Sequence, residues 1–304
     1  MRGIDVKPAI KCNDNLVELK NLPDASVDLV YIDPPYNTGK DWGDFDDRWK
    51  STDEYIEFMR PRVEEIRRVL KDTGNFYVHA DHNADIHLRL LVADVFGKDN
   101  VKPPIAFAKL IGAKAKTKGW GSQMDVIVHA VKSPGFTFND QYRDYSPSTI
   151  KRYNSEDEKG RFYWKPANAY GMTRHEGRKK FAFNGCTNDW VFSTKSMSRM
   201  LAEGELKVTD ECKIYYKFRQ NPLGTKVQNL WNDIKYQSEK RYATEKPEKL
   251  LERVILSSSN PGDVVLDAFA GSGTTCAVAK NLGRKSICID KNPKACKIME
   301  ARIK

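Results

Sequence analysis

The sequence lacks the features that mark secreted, membrane and zinc-stapled proteins. Its six cysteines form no CxxC pair and show no zinc-ligand spacing. No run approaches the roughly 18 apolar residues of a membrane span, and residues 1–12 lack the apolar stretch of a signal peptide. There is no internal repeat and no low-complexity tract. We therefore expect a soluble, reduced, cytoplasmic protein with no membrane association, because a chain of this size needs no disulfide staples.

The composition allows a large core and favours an anionic partner. The chain has 304 residues, 40% of them hydrophobic, which suits one α/β domain with an inserted lobe or two modest domains. Lysine and arginine number 51 against 41 aspartate and glutamate, a net charge of +10. Cations that neutralise phosphates gain free energy from counterion release. A lysine-rich protein that is merely soluble would carry the same charge, so charge alone leaves the partner open.

Hydrophobic periodicity predicts alternating strands and helices at both ends of the chain. The N-terminal part has predicted strands at 9–12, 27–32 and 75–79 and helices at 52–71 and 84–96. The C-terminal part has a predicted helix at 247–257, a strand at 263–266, a helix at 274–282 and a strand at 286–289. This alternation indicates parallel βαβ units. Residues from about 114 to 180 show no sustained period, and we interpret them as an inserted lobe with loops.

A glycine loop, residues 267–275, follows one of these strands and opens a helix. Glycine lets a ligand approach the backbone, and Asp290 closes the next strand where a carboxylate can accept hydrogen bonds from ribose hydroxyls. A dehydrogenase fingerprint would have a third glycine where Cys276 stands, and Asp267 would repel a pyrophosphate. The loop therefore predicts a cofactor with a cationic amine, such as the methionine part of S-adenosylmethionine. A tight turn without a ligand is the alternative.

Asp33-Pro34-Pro35-Tyr36 follows the predicted strand 27–32 directly. The exocyclic amine of a nucleobase is a poor nucleophile because its lone pair is delocalised. The Asp33 carboxylate and the Pro34 carbonyl can accept its protons, on a loop stiffened by two prolines. Tyr36 offers a ring for stacking on a base that has been flipped out of a duplex. Alone, the tetrapeptide also fits an ordinary turn; together with the glycine loop it predicts group transfer onto a nucleobase amine.

These two motifs carry a family resemblance. Residues 33–39 with 267–275 resemble the amino-group DNA methyltransferases of bacterial restriction-modification systems, and their order, catalytic motif first, is similar to the β class. Residues 41–49, 74–81 and 242–253 also match. The resemblance implies an α/β, Rossmann-like, seven-stranded S-adenosylmethionine-dependent methyltransferase fold, circularly permuted, so that the strand at 9–12 follows the strand of Asp290 and the chain ends lie close together. It also implies a catalytic and cofactor-binding domain of residues 1–112 and 225–304, and an inserted target-recognition region with DNA-contacting loops at 113–224.

The resemblance further implies roles for individual residues. In the catalytic motif Asp33, Pro34, Pro35 and Tyr36, Asp33 orients the amine and Tyr36 stacks on the base. The implied cofactor set is Asp14, Asp33, Thr244, Lys246, Pro247, Asp267, Phe269, Ala270, Gly271, Ser272, Gly273, Thr274 and Asp290. Asp290 belongs to the ribose and Asp14 to the adenine of the cofactor, while Thr244, Lys246 and Pro247 close the site beside the carboxylate. Two departures are Ala268 in place of a common proline, and Asn13 in place of glycine.

Two weaker signals concern a metal and DNA. His79, Asp81, His82 and His87 are grouped, but they lie on a strand end and the following helix, as in the family, and we expect no metal. A basic, glycine-containing stretch is expected to hold DNA phosphates near the flipped base; a solvated loop is the alternative. Its residues are Lys109, Lys114, Lys116, Lys118 and Trp120.

The expected function is site-specific methyl transfer from S-adenosylmethionine to adenine N6 of a flipped base in duplex DNA, without a covalent enzyme intermediate. Cytosine N4 is the nearest alternative, although such members more often carry serine in place of Asp33. An RNA adenine methyltransferase and a catalytically silent DNA-binding partner are further alternatives. The resemblance also implies a cognate restriction endonuclease and a homodimer as partners.

Overall fold

Two compact units make up the chain, one of Met1–Gln141 with Val227–Lys304 and one of Tyr142–Lys226. We call them the large unit and the small unit. The computed structural model describes residues 9–41, 46–109, 120–168, 180–235 and 245–303. Within these ranges no helix combines the length and the apolar composition that a bilayer crossing requires.

The strands and helices agree closely with the predicted periodicity at both ends of the chain. In chain order the strands are β1 Ala9–Cys12, β2 Val27–Ile32, β3 Lys40–Asp41, β4 Asp46–Asp47, β5 Leu70–Ala80, β6 Ile105–Ala108, β7 Met124–Val131, β8 Tyr142–Arg143, β9 Ser155–Asp157, β10 Gly160–Pro166, β11 Phe181–Phe183, β12 Cys186–Asn188, β13 Leu206–Val208, β14 Ile214–Arg219, β15 Thr225–Lys226, β16 Leu230–Trp231, β17 Val264–Asp267 and β18 Lys285–Asp290. The helices are α1 Asn15–Asn21, α2 Thr52–Val69, α3 Asp85–Phe96, α4 Pro147–Arg152, α5 Thr194–Ala202, α6 Glu248–Ser258, α7 Thr274–Asn281 and α8 Pro293–Ile303, with one 3-10 turn at Lys98–Asn100.

The large unit is built on one sheet in the order β1-β18-β17-β2-β5-β7-β6-β16. Neighbouring strands are parallel except that β7 runs antiparallel to β5 and β6. The first seven strands in this order form the predicted seven-stranded sheet, and β16 adds two residues at its edge. Because β1 lies beside β18, with Cys12 opposite Asp290, the predicted circular permutation is confirmed.

Helices cover both faces of this sheet, which is why its central strands are almost wholly apolar. All six residues of β2 are buried. Val30 and Ile32 pack in one core with the buried side chains of α2 and α3, while Leu29 and Tyr31 pack in a second core with α6. Burying each such side chain contributes about 1.5–3 kcal/mol. Packing on both faces therefore fixes the position at which β2 ends and the following loop begins.

The strand order reverses between β17 and β2. From β17 the chain passes through α7 to β18 on one side, and from β2 it passes through α2 to β5 on the other. The two strands are parallel neighbours, with Leu266 opposite Val30. Their carboxyl ends, at Asp267 and after Ile32, therefore open together at a switch point, where α/β sheets form their ligand crevices.

Strand β7 is the main element that the periodicity did not reveal. Its run is interrupted by two polar residues, Asp125 and His129, which are both buried. Both have hydrogen-bond partners far away in the sequence, His79 for Asp125 and Asn75 for His129. These two residues make the sequence of a buried strand appear polar. As β7 belongs to the large sheet, the small unit begins at Tyr142 and not at the predicted boundary of 113.

The small unit contains a four-stranded antiparallel sheet in the order β13-β14-β10-β9, and β11 and β12 form a separate hairpin. A compact core beneath the sheet is made by Ala167, Phe183, Cys186, Trp190, Met197, Leu206 and Ile214. The chain enters and leaves through β8 and β15, which pair Tyr142 with Lys226. The small unit therefore has its own hydrophobic core, and its first and last strands pair with each other.

One pair of cysteines comes together although no sequence motif joins them. Cys276 of α7 and Cys288 of β18 lie side by side in a buried cluster that also contains Cys296 and Met299. Helix α7 packs on β18, so the two side chains meet although their spacing of 12 residues matches no cysteine motif.

Candidate active site

Asp33 occupies the carboxyl end of β2 and has two side-chain partners. The Tyr36 hydroxyl donates to Asp33 Oδ1. Lys246 Nζ donates to Asp33 Oδ2 at 2.5 Å and to the Tyr36 hydroxyl at 3.2 Å. Desolvation raises the pKa of Tyr36 well above its usual value, and the charge of Asp33 raises it further. Tyr36 therefore remains a protonated donor, and Asp33 is an oriented acceptor.

The loop that carries these residues is tied down from two sides. Tyr55 of α2 donates its hydroxyl to the Pro35 carbonyl at 2.8 Å. Asp47 accepts the backbone N–H groups of Asn37 at 2.7 Å and Thr38 at 3.1 Å. Pro34, within the loop, is itself buried. The position of the catalytic motif is thus set before any substrate is bound.

The glycine loop places a second carboxylate at the end of β17. Asp267 is 3% exposed and accepts hydrogen bonds from the Thr275 hydroxyl at 2.5 Å and the Phe269 N–H at 3.0 Å. Burial raises the pKa of Asp267 to about 7, and the charges of Asp33 and Asp290 contribute to the rise. A buried carboxylate with this pKa gains most from a cationic partner.

Asp290 is positioned at the end of β18 by backbone amides. Its Oδ2 accepts the Gly271 N–H at 2.8 Å and its Oδ1 accepts the Asn292 N–H at 2.8 Å. Burial raises its pKa as well. Ala270 joins the same turn, since its N–H donates to the Ile289 carbonyl at 3.1 Å. The ends of β17 and β18 are thereby locked together around the loop.

The two glycines of the loop have different surroundings. Both have left-handed backbone, with φ of +51° at Gly271 and +74° at Gly273. A Cβ on Gly273 would lie 2.6 Å from Met299 Cγ, so this glycine is needed for packing. A Cβ on Gly271 would meet nothing within 4 Å. Gly271 therefore faces open space beside the carboxylates, a cradle that fits a nucleoside with a cationic amine.

Asp14 follows β1, the edge strand of the sheet, and so lies at the same carboxyl end as Asp267 and Asp290. It caps α1 by accepting the N–H groups of Leu16 and Val17, and the adjacent Asn13 N–H donates to the Asp290 carbonyl at 3.1 Å. Asp14 also pairs with Arg62 at 3.1 Å. The structure thus brings the implied adenine and ribose residues to adjoining strands.

Arg62 is a site residue that the sequence reasoning missed. Its Nε donates to Asn15 Oδ1 at 2.6 Å, and its guanidinium lies 3.7 Å from the centre of the Phe58 ring. Asn15 in turn donates to the Ala268 carbonyl at 2.7 Å. Arg62 therefore links α2, α1 and the glycine loop. The sequence does contain a signal for such a role, because Arg62 is a charged residue at helical spacing within the apolar face of α2.

Lys246 and Pro247 lie at the start of α6. The family resemblance puts Lys246 beside the cofactor carboxylate, whereas in the structure its ammonium contacts Asp33 and Tyr36. Pro247 is buried at the position before the helix begins. Ser272 and Thr274 are buried in the loop, with their hydroxyl oxygens 3.2 Å apart. Thr244 lies outside the described residues.

His79 is held in a buried hydrogen-bonded chain beside the catalytic motif. Its Nδ1 lies 3.0 Å from the Tyr31 hydroxyl and its Nε2 lies 3.1 Å from Asp125 Oδ2. Its ring stacks at 6.5 Å from that of Tyr36. Burial lowers the pKa of His79, and the charge of Lys246 lowers it further. No group of three or more His, Cys, Asp or Glu suited to a metal occurs among the described residues.

The basic stretch expected to hold DNA is only partly described. Lys109 is paired with the buried Asp125 at 2.6 Å, so its ammonium belongs to the His79 chain. Trp120 is fully exposed. Lys114, Lys116 and Lys118 lie outside the described residues.

Comparison with known proteins agrees with this geometry. The family model described as DNA methylase, which covers N6 and N4 enzymes, matches residues 27–301. The type II methyltransferase M.HpaI of Haemophilus parainfluenzae is 30% identical over 297 residues, which are 96% of this chain and 73% of that protein. The DNA adenine methyltransferase YhdJ of Escherichia coli K12 is 31% identical over 289 residues, 92% of this chain and 76% of that protein.

A solved structure has the same fold. The M1.HpyAVI–SAM complex superposes with a TM-score of 0.52 at 16% identity, covering 96% of this chain and 98% of that one. At this identity the likeness concerns the fold alone, while the family model and the two sequence relatives span nearly the whole of the chain. The chain belongs to the N6/N4 DNA methylase family.

Proposed function

We propose that this DNA methyltransferase transfers a methyl group from S-adenosylmethionine to adenine N6 of a base flipped out of duplex DNA. The observation that carries the proposal is the adjacency of two different sites at the switch point of the sheet. Asp33 offers an amine acceptor at the end of β2, and Asp267 with Gly271 offers a cradle for a cationic cofactor at the end of β17.

The residues of the cradle suit each part of the proposed cofactor. Asp267 would pair with the methionine amine, because that cation offsets the cost of a buried carboxylate. Asp290 would accept from the ribose hydroxyls, and Asp14 would face the adenine beside Phe269 and Arg62. When bound, the cofactor supplies an electrophilic methyl group. The protein supplies position and charge.

At the amine, Asp33 and the Pro34 carbonyl would accept the two N–H groups so that the nitrogen lone pair points away from them. Because Lys246 and Tyr36 already donate to Asp33, the entering amine must share or replace those donors. Tyr36 would stack on the base, a contribution of about 1–3 kcal/mol. After the nitrogen has gained its new bond it is cationic, and Asp33 is placed to take the proton.

Adenine is supported over cytosine by two observations. Asp33 occupies the position where N4 enzymes more often have serine, and the relative YhdJ, 31% identical, is named as an adenine enzyme. Cytosine N4 is the second candidate because the matching family includes both activities.

The test is to incubate the protein with S-adenosylmethionine and duplex DNA, digest the product and measure methylated nucleosides by mass spectrometry. We expect N6-methyladenine. N4-methylcytosine as the only product would make the adenine assignment wrong. Competition between duplex DNA and structured RNA tests the RNA alternative. Calorimetry with S-adenosylmethionine tests the other alternative: a wild-type protein that neither binds the cofactor nor turns over would be a catalytically silent DNA-binding partner.

The small unit is proposed to supply target recognition, with the stretch of Lys114, Lys116, Lys118 and Trp120 contacting phosphates. A cognate restriction endonuclease, a homodimer and a cytoplasmic location are further proposals that rest on the family resemblance. Single-molecule sequencing of DNA from expressing cells would report the methylated sequence, and sedimentation would report the oligomeric state.

A further inference from the structure

Lys109 is connected to the catalytic motif through two buried side chains. It follows β6, and its ammonium lies 2.6 Å from Asp125 Oδ1 on β7. The other carboxylate oxygen, Asp125 Oδ2, lies 3.1 Å from Nε2 of His79 on β5. Asp125 and His79 are both buried. A carboxylate that water barely reaches therefore stands between a lysine and a histidine.

The hydrogen bonds of His79 fit an uncharged imidazole. An ionised carboxylate can only accept a hydrogen bond, so Nε2 of His79 carries the proton that is directed to Asp125. In the neutral ring Nδ1 then accepts from the Tyr31 hydroxyl at 3.0 Å. Burial and the charge of Lys246 lower the pKa of His79, although the hydrogen bond to Asp125 acts in the opposite direction. His79 is therefore neutral at neutral pH.

Lys109 supplies the positive charge that the buried carboxylate requires. Burial raises the pKa of Asp125, but His79 and Lys109 together lower it to about 2. Among the described residues, these two are the ion-pair partners of Asp125. Without Lys109 an ionised Asp125 would have only a neutral imidazole beside it, and a buried charge without a cation is costly. The pair would then take up a proton, which the more basic imidazole holds.

A charged His79 would place a cation beside the catalytic motif. Its ring lies at an angle of 23° to that of Tyr36, with 6.5 Å between the ring centres. The charges of Asp33 and Lys246 both act on His79. A charged imidazole would compete with the substrate amine for Asp33 and would repel Lys246. It would also oppose the positive charge that develops on the substrate nitrogen.

The titratable side chains that face His79 within the described ranges come from β2, the loop after it, β7 and the segment before α6. They are Tyr31, Asp33, Tyr36, Asp125 and Lys246. Lys109 reaches His79 through Asp125, so Lys109 can be changed without deleting a hydrogen bond of the imidazole.

We propose that Lys109 is a positioning residue for methyl transfer. Its ammonium neutralises Asp125, and His79 therefore stays uncharged beside the catalytic motif. The inference rests on the proposed transfer to an amine held by Asp33. It gives Lys109 a different role from the phosphate contact that the sequence predicts.

The test compares the pH dependence of kcat in Lys109→Met and in K109M/D125N, with saturating S-adenosylmethionine and DNA, between about pH 6 and 8. Toward the acidic end of this range, kcat of K109M should fall at least about tenfold more than that of the wild type, because His79 becomes charged. In K109M/D125N the asparagine carbonyl still accepts from His79 but carries no charge, so the wild-type pH dependence should return. The Kd for S-adenosylmethionine should change by less than about threefold in both variants.

Lys71→Met is the matched control. Lys71 Nζ donates to both oxygens of the buried Asp28 at 2.8 Å, so K71M also deprives a buried carboxylate of its lysine. Asp28 lies near the start of β2, whereas Asp33 follows its end. K71M should lose stability in urea and keep the wild-type pH dependence of kcat. Lys109→Arg retains the charge and should keep that pH dependence as well.

NMR of protein with isotopically labelled histidine measures the charge of His79 without turnover. The signal of His79 is identified by its loss in His79→Gln. At about pH 6 we expect a neutral imidazole in the wild type and a charged one in K109M. If K109M does not fold, Lys109→Gln gives the same comparisons, since its amide can donate to Asp125 without supplying a charge.

Three results would overturn the inference. They are a wild-type pH dependence of kcat in K109M, an acidic fall that D125N does not reverse, and a neutral His79 in the NMR spectra of K109M. A slope of log Kd against log salt for DNA that decreases by about one in K109M, with the pH dependence unchanged, would make Lys109 a phosphate contact instead. A wild-type protein that methylates no DNA would overturn the proposed function, while the NMR spectra would still test the charge of His79.

Discussion

Asp33 has both carboxylate oxygens engaged before a base arrives, one by Tyr36 and one by Lys246. A satisfied carboxylate keeps a fixed orientation, whereas an isolated one near the buried Asp267 would repel its neighbour. In the proposed reaction the entering amine would share or replace these donors, so the Asp33 carboxylate would keep a hydrogen-bond partner throughout.

Asp33→Ala should abolish turnover and leave cofactor binding nearly intact. The substitution removes the acceptor for the amine, while the hydrogen bonds of Asp267 and Asp290 do not involve Asp33. We expect a fall in kcat of at least about a hundredfold and a Kd for S-adenosylmethionine within a few-fold of wild type by calorimetry. A comparable loss of cofactor affinity would mean that Asp33 belongs chiefly to the cofactor site.

We expect Asp267 to make cofactor binding depend on pH. Its folded-state pKa is about 7, above the ordinary value, so in the empty protein the folded state binds more protons than the unfolded state between about pH 4 and 7. Stability should therefore fall as the pH rises through that window. Cofactor affinity should rise over the same range, because the amine pairs with the ionised carboxylate, and should fall again above about pH 8 as the amine loses its proton.

Calorimetric titration between about pH 5.5 and 9 would measure this bell-shaped dependence, because that range brackets the pKa values of the Asp267 carboxyl and the cofactor amine. Asp267→Asn should bind the cofactor more weakly and lose the acidic limb, since asparagine does not titrate. An acidic limb that persists in Asp267→Asn would assign it to another group.

At the scale of elements, we expect two substitutions in the glycine loop to differ in their effects: one mainly lowers cofactor affinity and the other mainly lowers stability. Gly271→Ala places a Cβ in open space at φ +51° and should cost about 1 kcal/mol of stability, yet it fills the proposed cradle. Gly273→Ala at φ +74° adds an overlap with Met299 and should cost about 1–3 kcal/mol more.

Urea denaturation without cofactor and calorimetry with S-adenosylmethionine separate these two effects. Gly271→Ala should show the larger loss of affinity relative to its loss of stability. If it binds the cofactor as well as wild type does, the open space beside Gly271 is not the cofactor site.

Elements with a strong local signal could be predicted from the sequence. Strand β2 has the predicted bounds because six consecutive residues are buried on both faces, and the two motifs follow strands that alternate with helices. Strand β7 escaped prediction because its polar residues find partners far away in the chain. The partners of Lys246 and the contacts of Arg62 escaped for the same reason: each depends on elements distant in sequence.

At the scale of the whole molecule, the small unit is an insertion with adjacent ends. The Val227 N–H donates to the Gln141 carbonyl at 2.8 Å, so the large unit closes on itself where the small unit begins. A protein in which a short glycine and asparagine turn replaces Tyr142–Lys226 should fold and bind S-adenosylmethionine, because the cores around β2 draw no side chain from the described part of the excised segment, residues 142–168 and 180–226.

The shortened protein should lose site-specific methylation, because the proposed target-recognition unit is missing. Thermal unfolding in the presence of S-adenosylmethionine and sequencing of methylated DNA would measure the two properties. Methylation of an unchanged target sequence would place recognition in the large unit.

The pairing of β1 with β18 has a consequence for synthesis of the chain. Among the described strands, β1 pairs with β18 alone, and residue 285 is translated long after residue 12. At roughly 5–20 residues per second, the delay is on the order of 15–60 s. Strands β2 and β5 can pair early, but β1 must wait until β18, far later in the chain, has been made. Completion of this edge of the sheet is therefore a late event, and until then the nascent chain exposes a strand that is free to pair with other molecules.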